Sequence, residues 1–181
     1  MKKKILTTLA LIVCAVLLVV GSVAGTIAYL TSQATVNNTF TVGDVKITMD
    51  EANAAGEGRV ASNEYKLIPG KTYENDLTIY VDADSEDCYI FVKLPANTNI
   101  TYNLATDWTL LEGDVYYYNT KVSTNDEVVE VDVVTSFKVA NDATAATLAN
   151  VTTPISFVGY AVQSEGFTSA ADAWAASGFG N

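Results

Sequence analysis

Short runs of alternating apolar and polar residues, separated by turn-forming residues, fill most of the chain after position 35. Segments 45–49 and 77–81 are examples. A period of two places successive side chains on opposite faces of a strand, so each run predicts a strand with one buried face. Segment 89–94 is apolar at nearly every position, which is typical of a central strand buried on both faces, and Pro95 ends it.

The remaining elements are short. The glycine-containing stretch 51–63 predicts a surface loop, and the Pro69-Gly70 dipeptide predicts a tight turn. About eight or nine strands favour a sandwich or barrel. Because the strands are followed by only a small helical addition, we expect an all-β antiparallel sandwich.

The further predicted strands are 40–42, 108–111, 115–118, 128–134, 136–139 and 155–161. The predicted helices are 143–149 and 170–176, the second with a capping box at Ser169–Asp172 and a stop at Gly178.

The first 28 residues have the organisation of a secretory signal peptide. Three lysines precede an apolar run over 5–20, and no further charge follows until Asp44. Small residues permit cleavage after Ala24, or between Ala28 and Tyr29. We therefore expect a secreted protein. Because the apolar span is long enough to cross a bilayer, an uncleaved signal anchor is the alternative.

Charge and composition exclude several classes of function. The 181 residues include 10 basic and 21 acidic side chains and no histidine. Without residues 1–28 the count is 7 basic and 21 acidic, a net charge of −14, which argues against nucleic acid as a partner. The absence of histidine excludes Ser-His-Asp and Cys-His pairs and His-ligated zinc. We predict no catalytic residue, metal or cofactor, and a structural or binding protein is favoured.

The acidic run 82–87 is the one weak candidate for a metal site. Asp82, Asp84, Glu86 and Asp87 supply the carboxylate oxygens that Ca²⁺ prefers. The run departs from an EF-hand loop, because Asp87 stands where that loop requires glycine. A solvated turn between two strands is the favoured interpretation.

Cysteine and the aromatic residues are interpreted as core residues. Cys88 is the single cysteine after the leader, and its apolar surroundings predict a buried thiol. Trp108 and Trp174 are expected to be core anchors. In a strand over 116–118, two tyrosines face one side and the third faces the other.

The leader boundary Gly25-Thr26-Ile27-Ala28-Tyr29-Leu30-Thr31 and the segment 36–43 resemble the TasA/camelysin family. These are Gram-positive surface and biofilm-matrix proteins whose leaders are processed by an ER-type signal peptidase. The resemblance continues through these later segments: 69–70, 88–93, 116–118, 155–163 and 173–174. It implies a secreted, jelly-roll-like sandwich that polymerises into extracellular fibres.

In such fibres the N-terminal segment of one subunit adds as a strand to the next. The matching segment here is 29–42, for which we expect donor side chains at Leu30, Val36, Phe40 and Val42. The segment 29–40 is uncharged, so after cleavage it could pair with an exposed sheet edge. A contact of this heterologous kind repeats without closing and makes filaments.

The expected organisation is a signal peptide over 1–28, a donor segment over 29–42 and a sandwich domain over 43–181. The expected partners are a second copy, the signal peptidase and an accessory matrix protein, and membrane contact is limited to the uncleaved leader. Some camelysin-like members have been called metalloproteases, but this chain has no His-Glu-X-X-His motif. The alternative function is a monomeric surface adhesin or binding module on the same fold.

Overall fold

The computed structural model describes residues 31–35, 38–40, 44–63, 65–148 and 155–180. These residues form eleven strands and two short helices. The strands are β1 (Thr31–Thr35), β2 (Asn38–Phe40), β3 (Ile47–Ala52), β4 (Arg59–Val60), β5 (Thr72–Val81), β6 (Cys88–Lys93), β7 (Ile100–Leu104), β8 (Trp108–Glu112), β9 (Val115–Tyr118), β10 (Val129–Val139) and β11 (Val158–Gln163). The helices are α1 (Ala145–Leu148) and α2 (Ala170–Ser177).

Two antiparallel sheets make up the molecule. One has six strands in the order β2-β1-β11-β6-β9-β8, and the other has five in the order β4-β3-β5-β10-β7. Every pairing between neighbouring strands is antiparallel. This arrangement confirms the predicted all-β sandwich with short helical additions.

The centre of the six-stranded sheet, at β6 and β11, is buried on both faces. Ile90 and Val92 of β6 point into the main core between the sheets, where both are fully buried. Phe91, between them, points outward into a second cluster beneath α2, where it packs 5.0 Å from Trp174. The nearly continuous apolar sequence of β6 follows from this arrangement, as the prediction for 89–94 requires.

A glycine brings the two sheets close together at β11. Gly159 faces the five-stranded sheet, and a Cβ atom at this position would collide with Sδ of Met49 and lie 3.5 Å from Cδ1 of Ile79. Any larger residue would therefore push the sheets apart. The sequence gives no local reason for this glycine, because the contact is with a strand more than a hundred residues earlier.

Helix α2 begins and ends at the predicted signals. Oγ of Ser169 accepts a hydrogen bond from the Asp172 amide at 3.2 Å, and the Asp172 carboxylate accepts bonds from the Ser169 and Thr168 hydroxyls. These bonds lower the pKa of Asp172. Gly178 ends the helix with φ of 75°, a left-handed conformation that glycine adopts without strain.

Some boundaries differ from the predictions. The predicted strands 128–134 and 136–139 are one strand, β10, whose register is irregular between Asp132 and Ser136. The last predicted strand, 155–161, begins later, at Val158. Strand β7 was not predicted, although its sequence Ile-Thr-Tyr-Asn-Leu alternates apolar and polar residues at every position.

The stretch 51–63 is less irregular than predicted. Its first two residues complete β3, and the short strand β4 pairs back onto that strand. Arg59 fixes this pairing, because its guanidinium bonds to the Asp50 carboxylate and donates to Oδ2 of Asp76 at 2.7 Å. The remainder of the stretch is a surface loop, as expected.

Replacing Ser169 by alanine should reduce the free energy of unfolding by about 1 kcal/mol, because the first turn of α2 loses its capping acceptor. Urea denaturation followed by Trp174 fluorescence measures the change. Ser156→Ala is the matched control, since Ser156 is exposed and precedes β11. Equal stability of the two variants would contradict a stabilising cap.

Candidate functional site

The segment that follows the predicted cleavage site lies on the edge of β11. Strand β1 pairs with β11 over five antiparallel positions, from Thr31 opposite Val162 to Thr35 opposite Val158. On its other edge β11 pairs with β6 over six positions. Strand β1 is therefore the element that supplies hydrogen bonds to the edge of β11 away from β6.

Both faces of β11 are covered by the body of the domain. Gly159 and Ala161 face the main core, and Tyr160 and Val162 face the second cluster beneath α2. The Tyr160 ring contacts Trp174 edge-on at 5.2 Å. Without β1, strand β11 would still be held by packing on both faces and by β6 along one edge. Its other edge would then present unpaired backbone N–H and C=O groups.

The predicted donor residues do not all lie on the strand that meets β11. Strand β2 turns back and pairs with β1, which places Phe40 opposite Gln33 and one strand away from β11. Leu30, Val36 and Val42 lie outside the described residues, as does the predicted cleavage site at Ala28–Tyr29. Within one chain, the described parts of the segment 29–42 are therefore two antiparallel strands, β1 and β2.

The apolar–polar pattern predicted no strand at Thr31–Thr35, which only the family resemblance placed in a donor segment. Its residues Thr-Ser-Gln-Ala-Thr carry no large apolar side chain, so they give no alternating hydrophobic signal. Two features of this segment do favour a strand. It lacks charged residues, glycine and proline, and it contains two β-branched threonines.

Many carboxylates gather at the end of the sandwich where β1 begins. We call this the acidic end and define it by Asp44, Asp82, Asp84, Glu86, Asp87 and Glu165. Two backbone hydrogen bonds hold its segments together: the Glu86 amide donates to the Asp44 carbonyl at 3.0 Å, and the Ser164 amide donates to the Asp87 carbonyl at 2.7 Å. Only Lys46 and Lys121 pair with these carboxylates in the described residues, which leaves an excess of four negative charges.

The four calcium candidates, Asp82, Asp84, Glu86 and Asp87, lie between β5 and β6, and three of them make separate contacts. Oδ1 of Asp82 accepts from the Asp84 amide at 3.2 Å, and Asp84 lies 3.9 Å from Nζ of Lys46. Lys121 donates to Asp87 at 2.5 Å, which lowers the pKa of that carboxyl. In the described ranges no three acidic or cysteine side chains converge as metal ligands. The contacts are those of a solvated turn.

A second polar feature is a buried carboxylate beside the loop that follows β3. Glu51 is 2% exposed, and it accepts hydrogen bonds from Asn75 and, at 3.5 Å, from the Tyr65 hydroxyl. Among the described residues no cation lies within 4.0 Å of it. Desolvation outweighs the hydrogen bonds and raises the pKa of Glu51. This burial was not predicted, because residue 51 was assigned to the surface loop 51–63, although the alternation of Val45, Ile47 and Met49 places position 51 on the same buried face.

A polar groove of about 400 Å³ lies beside the C-terminal end of α2. Nε1 of Trp174 donates to Oε1 of Glu112 at 2.6 Å, and Nζ of Lys93 lies 3.7 Å from Oδ1 of Asp114. These groups already have partners, and Trp174 is only 5% exposed. The groove thus offers hydrogen-bonding groups to a polar ligand, while its Tyr160 and Trp174 rings are buried.

Cys88 and Trp174 lie in the core, whereas Trp108 and the tyrosines of β9 are partly buried against it. Cys88 is completely buried, and burial raises the pKa of its thiol to about 12. Tyr116 and Tyr118 pack against the main core and Tyr117 against the second cluster, as the alternation of a strand requires. Trp108 packs against the main core, and its indole N–H donates to the Asp132 carbonyl at 2.8 Å.

Comparisons with protein-family models, curated proteins and solved structures return no match. None of the helices in the described ranges is long and apolar enough to span a membrane. The fold and the β1–β11 pairing define a β-sandwich whose edge is completed by its own N-terminal strand.

Replacing Glu51 by glutamine should flatten the dependence of stability on pH. Because the pKa of Glu51 is raised in the folded state, the folded chain binds more protons than the unfolded chain just above the unfolded pKa. Wild-type stability should therefore fall as pH rises through that window, and Glu51→Gln should remove this contribution.

Urea denaturation from about pH 5 to about pH 8 tests this. The exposed Glu57 provides the control substitution Glu57→Gln. A wild-type protein that gains stability relative to Glu51→Gln as pH rises would contradict the predicted sign.

Proposed function

We propose that this chain is a secreted structural protein of the cell surface or biofilm matrix that polymerises into fibres by exchange of its N-terminal strand. Removal of a leader over 1–28 leaves Thr31–Thr35 two residues from the new N-terminus. The pairing of that strand with the edge of β11 is the observation that carries the proposal. The resemblance of the leader boundary to the TasA/camelysin family supports it.

The pairing is suited to exchange because it relies on backbone hydrogen bonds. Strand β1 has no ionisable side chain and meets β11 over five positions that any copy of the chain reproduces. Its connection to the domain runs through residues 36–43, which precede Asp44. When β1 leaves its own β11 and pairs with that of a neighbour, the same hydrogen bonds form between two subunits.

Exchange of this kind produces filaments rather than closed dimers. The donor is the N-terminal strand and the acceptor is the edge of β11, so each subunit offers one of each. A contact between two different surfaces repeats from copy to copy unless its rotation closes a ring. While the leader remains in the membrane, its attachment restricts the donor strand, so cleavage would permit assembly.

The alternative, a monomeric adhesin or binding module, is favoured by one observation. The groove beside Trp174, Glu112 and Asp114 presents several hydrogen-bonding groups on one rigid surface. Such a groove suits a hydroxyl-rich ligand such as a saccharide. Saturable glycan binding by monomers that never polymerise would support this function over the first.

Electron microscopy of purified chain 29–181 should show filaments, whereas chain 43–181 at equal concentration should show none. The shorter chain lacks β1 and so lacks the donor. Circular dichroism of both samples establishes that the sandwich is folded. Filaments from both chains would overturn strand exchange, and folded monomers from both would overturn polymerisation itself.

Point substitutions test the strand without shortening the chain. The double variant Gln33→Pro/Ala34→Pro should abolish filaments. Successive amides of a strand point to opposite sides, so one of the two prolines removes a donor to β11 whichever residue faces it. Gln33→Ala/Ala34→Ser keeps every amide and should assemble as the wild type does.

A further inference from the structure

Strand β3 places one carboxylate on its buried face. Ile47 and Met49 point into the main core, and Glu51 takes the next inward position of the same strand. The Glu51 side chain lies in a residue that is only 2% exposed. A buried carboxylate that is ionised requires a cation or several hydrogen bonds, because its transfer from water is costly. The groups around Glu51 therefore determine which of its two protonation states the folded protein favours.

Neutral polar side chains surround Glu51. Asn75 of β5 donates to its Oε2, and the Tyr65 hydroxyl lies 3.5 Å from the same oxygen. Nδ2 of Asn75 also donates to the Tyr65 hydroxyl at 3.1 Å. Asn63 is a third hydrogen-bonding neighbour of the carboxylate. Because Asn63 and Tyr65 both follow β4, the segment that joins β4 to β5 is bonded to this carboxylate.

We call residues 61–63 and 65–68 of this segment the cover, because they supply two of the three polar neighbours of Glu51. The Tyr65 ring meets Phe137 edge-on at 4.9 Å, so the cover also packs on the main core beside the carboxylate. An opening of the cover would therefore admit water to Glu51.

Two backbone amides depend on the closed cover. The Ala54 amide donates to Oδ1 of Asn63 at 2.8 Å, and the Ile68 amide donates to the Tyr73 hydroxyl at 3.0 Å. Each bond joins the cover to a neighbouring segment, so both bonds break when the cover moves away. The exchange of these two amides with solvent deuterium therefore reports whether the cover is closed.

No described cation compensates the charge of Glu51. The elements packed most closely against β3 are β1, β2, β4, β5 and β11. Strands β1 and β2 contain no ionisable side chain, and that of Tyr160 in β11 faces the cluster beneath α2. In the cover, Tyr65 faces Glu51 and Lys66 is exposed, while Tyr73 of β5 packs beside Tyr65 at 5.7 Å. The other ionisable residues of β3, β4 and β5 lie on the outer side of the sheet: Asp50, Arg59, Glu74, Asp76 and Tyr80.

The amide of Asn75 favours a protonated Glu51. Asn75 is 3% exposed, and no group in the described part of the chain donates to its buried Oδ1. An ionised carboxylate can only accept hydrogen bonds, whereas a protonated carboxyl has one O–H to donate. Rotation of the amide about its terminal bond turns Oδ1 toward that O–H. A proton on Glu51 thus gives this buried pair a hydrogen-bonding arrangement that the ionised form lacks.

We propose that Glu51 is a proton-dependent switch that controls the cover. With a proton on Glu51 the cover stays closed, and loss of that proton favours an open cover in which water hydrates the carboxylate. Burial raises the pKa of Glu51 in the closed state, so the closed state binds the proton more tightly than an open state does. The open population must therefore grow as pH rises through the interval between the two pKa values.

Opening of the cover changes a surface as well as the carboxylate. Tyr65, Lys66 and Ile68 line a groove of about 510 Å³ together with Lys71 and Glu74. Because three of these residues belong to the cover, pH controls the shape of this groove. The switch uses neither β1 nor the edge of β11, so its test is independent of strand exchange.

Hydrogen exchange followed by NMR tests the switch. Between about pH 5 and about pH 8, the protection factors of the Ala54 and Ile68 amides, corrected for the intrinsic exchange rate, should fall by up to about tenfold per pH unit. In Glu51→Gln they should stay constant, because glutamine does not ionise. The exposed Glu57 provides the matched control Glu57→Gln, which should behave as the wild type does.

The amides of Cys88 and Val122, which bond to each other's carbonyls at 2.9 Å, report global unfolding and should be protected more strongly. Protection factors equal to theirs would overturn the switch, since the cover would then open only with the whole domain. Wild-type protection that does not change with pH, or that falls equally in Glu51→Gln, would overturn it as well.

The wild-type protein alone provides a second measurement if Glu51→Gln does not fold. The chemical shift of the Glu51 carboxyl carbon should titrate over the same pH interval in which the Ala54 and Ile68 amides lose protection. Titration in a different interval would mean that another group controls the cover, and the proposal would be wrong.

Discussion

The edge of β11 is the constraint on which the arrangement of the domain depends. The strand is held by the main core on one face, by α2 on the other and by β6 along one edge. Without β1, the backbone groups on its remaining edge would be left to water or to a strand from another chain. Strand β1 pairs with these groups, so the first described segment of the chain joins a sheet whose strands other than β2 come much later in the sequence.

The close packing around β11 also requires a glycine, Gly159, among large side chains. Gly159 permits Met49 to approach the strand directly, so β3 and β11 can lie against each other across the core. On the opposite face the space is filled by Tyr160, Phe91 and Trp174. The strand that accepts β1 is thereby positioned by contacts from both layers of the sandwich, and its edge has a defined register before any partner arrives.

Local patterns in the sequence predicted the elements whose burial depends on their own residues. The doubly buried β6, the cap at Ser169 and the alternating tyrosines of β9 are examples, since each is recognisable from a few adjacent positions. The family resemblance supplied the idea of a donor segment, but the hydrophobic pattern did not mark β1, because its pairing depends on backbone groups rather than apolar side chains.

Other features escaped prediction because they arise only when distant segments meet. The carboxylate of Glu51 is buried by β5 and by the loop that contains Tyr65. The acidic end is likewise invisible in a linear charge count, because Asp44, Glu86 and Glu165 come together only in the folded sheet. Composition gave the total charge but not its distribution over the surface.

The buried thiol of Cys88 bears on the redox conditions in which the chain can fold. It is the only cysteine of the sequence after Cys14, and its thiol is fully buried and remains protonated at ordinary pH. Neither an oxidant nor a reductant can reach it in the folded molecule, and the native state contains no crosslink that must first be formed there. The fold of the described residues is therefore attainable in reducing and in oxidising surroundings alike.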